Sequence, residues 1–259
     1  MKKIILLLAL VSFGMSCPIQ AQRQGPNRSP HIHSVVINKD PGEGGPVNFG
    51  IAFAPTFDWM YTSTEGYKRD GFVVGMRYGF PVNINLTKGK NFYVSTGVFV
   101  EHLGGKLSLR DSVVLPGIGG STADIHRTYR NMYLMVPVGI TLKTNPIDNF
   151  YICGNAGFYN ALLLGANHID ACELGENDEL WSREKQPYTE AFVLKESVFA
   201  GIGFEYAVTP KMRAGVMVNY VHSLTNYFKG RNQAYNSVLN VDPKATFGRV
   251  EIVLHINFL

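Results

Sequence analysis

The chain has 259 residues, of which 24 are basic and 20 acidic, giving a formal net charge of +4. Loss of Lys2 and Lys3 with an export signal brings this to +2, a near-neutral balance that argues against a nucleic-acid partner. After Ala21 no run of ~18 apolar residues remains, so a membrane-spanning helix is not expected, and a near-zero mean hydropathy does not separate a soluble domain from a β-barrel.

Residues 1–21 read as a signal peptide: Lys2 and Lys3 supply charge, Ile4 to Val11 the apolar core, and Ile19-Gln20-Ala21 the cleavage site. Lipidation at Cys17 is the alternative, but the Leu expected three residues before it is absent. Residues 22–46 read as an unstructured periplasmic lead, rich in Gly, Pro and Asn. His31 and His33 in this lead are a His-x-His pair, with no Cys nearby to complete a metal site.

From residue 47 to 259 the chain alternates, strand after strand. The first strand sets odd positions Phe49 to Trp59 against Gly50, Ala52, Ala54, Thr56 and Asp58. A break at Thr62–Asp70 follows. The second opposes Phe72, Val74, Met76, Tyr78 and Phe80 to Val73, Gly75, Arg77 and Gly79, and ends in a short break at Thr87–Lys90. The third opposes Phe92, Val94, Thr96, Val98 and Val100 to Tyr93, Ser95, Gly97, Phe99 and Glu101.

A long break at Ser108–Ala123 contains a Gly117–Gly120 run. No helix pattern follows it, so a phosphate-binding reading is weak. The fourth strand is the clearest: Met132, Leu134, Val136, Val138, Ile140 and Leu142 form one face. Asn131, Tyr133, Met135, Pro137, Gly139 and Thr141 form the other. The short break Asn145–Asn149 leads to a fifth strand, Phe150 to Leu164, apolar on both faces and therefore without a readable orientation.

The break Ala166–Pro187 is acidic, with Asp170, Glu173, Glu176, Asp178 and Glu179; their spacing matches no calcium loop, so a solvated surface loop is expected. The sixth strand sets Val198, Ala200, Ile202, Phe204 and Tyr206 against Lys195, Ser197, Phe199, Gly201, Gly203 and Glu205. After a short break at Thr209–Lys211, the seventh sets Met212, Ala214, Val216, Val218 and Tyr220 against Arg213, Gly215, Met217, Asn219 and Val221. The last long break, Asn226–Pro243, carries Tyr227, Lys229, Arg231 and Tyr235, whose bases suit lipopolysaccharide phosphates. The eighth strand opposes Val250, Ile252, Leu254, Ile256 and Phe258 to Arg249, Glu251, Val253, His255 and Asn257.

Strand side chains alternate between faces, so each strand offers one apolar and one mixed face. Long and short breaks also alternate. Aromatics cluster beside the short turns (Phe80, Phe92, Phe150, Tyr206, Phe258) and beside the long loops (Trp59, Tyr61, Tyr220). Together these features define a closed eight-stranded antiparallel transmembrane β-barrel of the outer membrane, and favour it over a soluble lipocalin-like barrel.

Glycines at 50, 75, 79, 97, 139, 201, 203 and 215 fall on inward positions, as do Arg77, Arg213, Arg249, Lys195, Glu101, Glu205 and Glu251. Eight strands leave room for packed side chains and no aqueous channel. Cys153 and Cys172 are expected at opposite ends of one strand and hence free.

The fourth strand's Tyr133-Leu134-Met135-Val136-Pro137-Val138-Gly139-Ile140 resembles the Leu-x-x-Pro-apolar strand of the PorT-like outer-membrane barrel family of Bacteroidetes. Asn48–Phe53, Phe72-Val73-Val74-Gly75, Phe92–Gly97 and Val250–Phe258 are similar in the same way, so the resemblance runs from about Val47 to Leu259. One departure is that Phe258 is penultimate, where many such barrels end on the aromatic itself. The resemblance implies insertion by the barrel-assembly machinery and a scaffold or accessory role in an envelope assembly such as type IX protein secretion, with secretion-system proteins as partners.

The alternative is a surface barrel for adhesion, lipid contact or envelope integrity. Outer-membrane lipids and lipopolysaccharide are expected neighbours in either case. No catalytic, cofactor or metal residues are assigned. A lipid-modifying hydrolase needs His and Ser on one face. His222 and Ser223 are adjacent and diverge, His102 has only Glu101 beside it, and His126 has no Ser two residues away.

Overall fold

In the computed structural model the described residues are 45–87, 91–115, 119–174, 179–182, 186–229 and 243–259. The expected signal peptide, almost all of the lead, and His31 and His33 lie outside them. The strands are β1 (Val47–Thr62), β2 (Tyr67–Arg69), β3 (Val73–Asn85), β4 (Phe92–Leu115), β5 (Gly119–Lys143), β6 (Phe150–Leu174), β7 (Glu179–Ser182), β8 (Gln186–Pro187), β9 (Leu194–Thr209), β10 (Met212–Ser223) and β11 (Ala245–Phe258).

Eight of these are staves. β1 pairs β3, then β4, β5, β6, β9, β10 and β11 follow in order, and β11 returns to β1, every pair antiparallel. The seam runs from Phe49 opposite Phe258 to Thr62 opposite Ala245, so no stave presents an unpaired edge to lipid.

The expected faces hold. On β5, Met132, Leu134, Val136, Val138, Ile140 and Leu142 are all exposed, while Asn131, Tyr133, Met135 and Thr141 are buried. That row measures about 34 Å along the strand, or about 26 Å along the barrel axis at the ~40° tilt of such strands, close to the height of a lipid-facing band. Phe80, Phe92, Phe150, Tyr206 and Phe258 at one rim and Tyr61 and Tyr220 at the other are exposed aromatics, the two girdles. An apolar exterior around a polar interior is the arrangement of a protein solvated by lipid. β6, unreadable in sequence, turns Tyr151, Cys153, Tyr159 and Ala161 inward and Phe150, Ile152, Phe158, Leu162 and Leu164 outward.

Two of the expected long loops are largely strand. β4 and β5 stay paired beyond Leu107–Arg127 up to Leu115–Gly119, within the segment expected as loop at Ser108–Ala123. β6 continues to Leu174, with β7 and β8 folding back on it inside the expected Ala166–Pro187 loop. β2 adds to β4 within the Thr62–Asp70 break. Above the bilayer no lipid demands an apolar outward row, so alternation fades in the sequence although the backbone groups still pair and Leu107, Leu109, Ile125 and Asp170 are buried on the inner face. Cys153 is free and buried. Cys172 lies far along the same strand, about 60 Å away at ~3.3 Å per residue, beyond the reach of a disulfide.

Small residues make the lumen fit. Gly139 and Gly157 face each other across β5 and β6, and a Cβ on Gly157 would lie 2.4 Å from the Gly139 Cα and 3.0 Å from the Phe199 ring. That space lets Phe199 stack on Tyr159 with ring centroids 4.2 Å apart. Gly157→Val is expected to abolish folding into lipid vesicles, read as loss of the heat-modifiable form in gel electrophoresis. Ala156→Val, one residue away on the lipid face, is expected to fold normally.

Candidate functional site

The inward face concentrates the polar chemistry of the chain in three carboxylate-centred clusters. Near the periplasmic end, Glu205 accepts from the Lys143 ammonium at 2.6 Å, faces His255 Nε2 at 3.0 Å and accepts from Asn257 at 3.1 Å. At mid-height Glu251 accepts from Arg77 at 2.7 and 3.2 Å, from the Tyr159 hydroxyl at 2.6 Å and from Asn219 at 2.8 Å. Nearby, Glu101 accepts from Lys195 at 2.7 Å and from Arg249. Asp58 accepts the Gly104 amide at 3.1 Å.

Aromatic faces cover the cations: Arg77 sits over Phe99 and Tyr159, Lys195 over Tyr133, and Lys143 over Tyr93. Arg213 lies over Tyr151, 4.3 Å from the ring centroid, with no carboxylate partner among the described residues. All seven inward charges expected from sequence are buried here; Asp58 and Lys143 join them.

Burying one charge costs several kcal/mol, which ion partners and hydrogen bonds offset at Glu205, Glu251 and Glu101, while Arg213 has the ring and hydroxyl of Tyr151. The network locks the staves across the axis and fills the lumen. Among the described residues one lumenal cavity of about 90 Å³ is lined by Asn83, Ser95, Asn155 and His255 among others, room for a few waters. Planar-bilayer recordings are expected to show no porin-sized conductance steps.

The extracellular mouth is closed by a lid that sequence did not reveal. Segments 188–192 and 226–229 pair with each other: Ala191 bridges Phe228, the Phe192 amide donates to the Tyr227 carbonyl at 2.7 Å, and the Lys229 amide donates to the Glu190 carbonyl at 2.9 Å. Tyr188 and Tyr227 stack with centroids 5.8 Å apart and pack on Tyr129 and Phe228 over Met60, Leu107 and Phe247. The Tyr227 hydroxyl donates to Asn131 at 2.9 Å. Burial pushes the hydroxyls of Tyr188 and Tyr227 up, so both stay neutral at physiological pH.

Several sequence expectations change. Asp170 belongs to no solvated acidic loop; it is buried and takes a two-pronged contact from Arg127 at 2.5 and 2.6 Å. Glu173 and Glu179 lie on β6 and β7, while Glu176 and Asp178 fall outside the described residues. Tyr227 is a buried lid residue and not a displayed one. Lys229 is exposed and donates to the Thr189 carbonyl at 3.5 Å; Arg231 and Tyr235 fall outside the described residues. Gly119 and Gly120 are in β5, and Gly117 lies outside the described residues. Among the described residues no three His, Cys, Asp or Glu side chains converge as a metal set would.

The histidines separate as their positions dictate. His222 packs on Tyr61, while Ser223 is buried and donates to the Glu196 carbonyl. His102 stacks on Tyr78, and Glu101 points inward. His126 bonds Asp70 at 2.8 Å and stands opposite Ser108 across the ladder, a neighbour that only the strand pairing reveals. No hydrogen bond joins that serine to the ring. Ser108 itself lies on β4 between β2 and β5, opposite Lys68 and His126.

The closed stave order, apolar belt and charged interior define an integral outer-membrane β-barrel. No protein-family model matches the chain, and comparison with curated proteins finds no match. Among solved structures it is similar to OprG from Pseudomonas aeruginosa, at 11% identity over 84% of this chain and 97% of that one, with a TM-score of 0.37. The attachment invasion locus protein Ail of Yersinia pestis matches at 12% identity over 82% and 97%, with a TM-score of 0.35. The outer membrane protease OmpT from Escherichia coli matches at 10% identity over 82% and 96%, with a TM-score of 0.36. These similarities are too distant to bear on activity. The barrel assignment rests on the strand pairing itself.

Proposed function

We propose that this barrel is a non-enzymatic scaffold or accessory component of an outer-membrane assembly, of the PorT-like kind and acting in type IX protein secretion. The observation that carries this reading is where the polar groups are committed. Among the described residues the lumen is occupied by the Glu205, Glu251 and Glu101 clusters and its mouth by the Tyr188–Tyr227 lid, an interior committed to packing and not to transport. The surface outside the bilayer is instead enlarged: β4, β5 and β6 continue as a paired sheet, with β2, β7 and β8 added. A paired sheet held above the membrane suits docking of partner proteins. The resemblance of Tyr133–Ile140 to the PorT-like strand supplies the choice of assembly.

The test is a clean deletion compared with its parent by proteomics of the medium, cell surface and periplasm. Loss of type IX cargo from the surface with retention in the periplasm supports the reading. Unchanged cargo overturns it and leaves a barrel for adhesion or envelope integrity.

A further inference from the structure

We infer that the lipid-facing wall carries a binding site for a multiply phosphorylated lipid of the outer leaflet, of the lipid A type, in a groove at the outer edge of the apolar belt. The groove has a volume of about 690 Å³. Its floor is formed by Phe53, Val74, Met76 and Met132, all exposed members of the belt, and its upper edge by His102 and Arg130. Gly165, opposite Met132, lines it without a side chain, and a Cβ there would meet nothing within 4 Å. An apolar floor continuous with the belt is surface that acyl chains already cover.

The groove's rim is cationic. Arg130 is exposed, forms no ion pair among the described residues, and pairs across the sheet with Gly104 and Asn167. No carboxylate lines the groove. The positive charge continues up the same outward face: Lys106 is two positions beyond Gly104 on β4, and Lys68 lies opposite Ser108, two positions further. Arg130, Lys106 and Lys68 therefore rise in steps of about 7 Å above the belt. Among the residues whose side chains are described, the carboxylate of Asp70 beside this row is taken by His126. A guanidinium binds a phosphate with two parallel hydrogen bonds, and an ammonium above it suits a second phosphate. A zwitterionic headgroup would leave this row uncompensated, which is why the site fits a headgroup with more than one phosphate.

The full-length folded barrel in zwitterionic detergent, titrated with bisphosphorylated lipid A and read by native mass spectrometry, tests this. Wild type is expected to retain one lipid A molecule with an affinity at least tenfold above that for dephosphorylated lipid A. Arg130→Gln combined with Lys106→Gln is expected to lose that tenfold. Gly165→Phe, which fills the groove without touching a charge, is expected to lose binding of both lipids. Lys211→Gln, at the periplasmic turn, is expected to bind as wild type does. Equal retention by wild type and the Arg130/Lys106 variant overturns the site, as does equal loss on Lys211→Gln or indifference to the phosphates. The Arg130 and Lys106 side chains are outside the core, so that variant keeps the test open if Gly165→Phe does not fold.

Discussion

Glu251→Ala is expected to destabilise the barrel by about 3–5 kcal/mol, the cost of stranding a buried charge whose partner is removed. The carboxylate is fully buried and is the shared acceptor of Arg77, Tyr159 and Asn219. Without it, Arg77 retains only the faces of Phe99 and Tyr159, and Arg249 loses a neighbour at 3.3 Å. Urea titration in lipid vesicles, followed by tryptophan fluorescence, reads the loss. The paired change Glu251→Leu with Arg77→Leu is expected to recover most of it, because replacing both members of a buried pair with apolar residues is often near neutral. Glu65→Gln, in an exposed turn, is expected to move stability by less than about 0.5 kcal/mol. A loss under about 1 kcal/mol for Glu251→Ala would mean that water reaches the cluster and screens it.

Tyr227→Ala acts on a different layer. The ring touches Tyr129, Phe228 and Phe247 at centroid distances of 5.1–5.2 Å and stacks on Tyr188. Its removal is expected to cost about 3 kcal/mol, in the range for a buried aromatic. The lid is a local unit held by few backbone bonds, so the cost should appear as lid opening and not as unfolding of the staves. A 3 kcal/mol change raises the open population by roughly a hundredfold, since each 1.4 kcal/mol is a factor of ten. Limited proteolysis from the extracellular side should then cut near Asn226–Lys229 much faster than in wild type. Phe192→Ala, whose side chain is 41% exposed, is expected to change the cutting rate little. Bilayer conductance should stay without porin-sized steps in Tyr227→Ala, because the carboxylate clusters still fill the lumen below. Porin-sized steps in that variant would show that the lid, and not the charged network, is the seal.

The staves were legible in the sequence for one physical reason: each meets lipid on one face and a packed polar lumen on the other. Two different solvents impose a period of two on residues such as Met132 to Leu142. The rule weakened on β6, whose lumenal Tyr151, Cys153, Tyr159 and Ala161 are apolar enough to pass for lipid-facing residues. It failed above the bilayer, where no lipid demands an apolar outward row and the alternation fades while the backbone pairing continues. The strand extensions at Leu107–Leu115 and Ala166–Leu174 therefore read as loops.

The sequence by itself determined the number of staves, the lipid face of all but β6, the girdles, and seven of the charges that had to be buried. It did not determine which charge meets which. Arg77 and Glu251 are 174 residues apart, and Lys195 and Glu101 are 94 apart; closure of the sheet alone brings them together. The same holds for the lid, where Tyr188 and Tyr227 come from two loops of ordinary polar composition, and for the outer groove, whose lining is drawn from five staves. Local patterning reports the medium each residue faces. Contacts across the axis and around the wall depend on stave order and register, which only the tertiary structure sets.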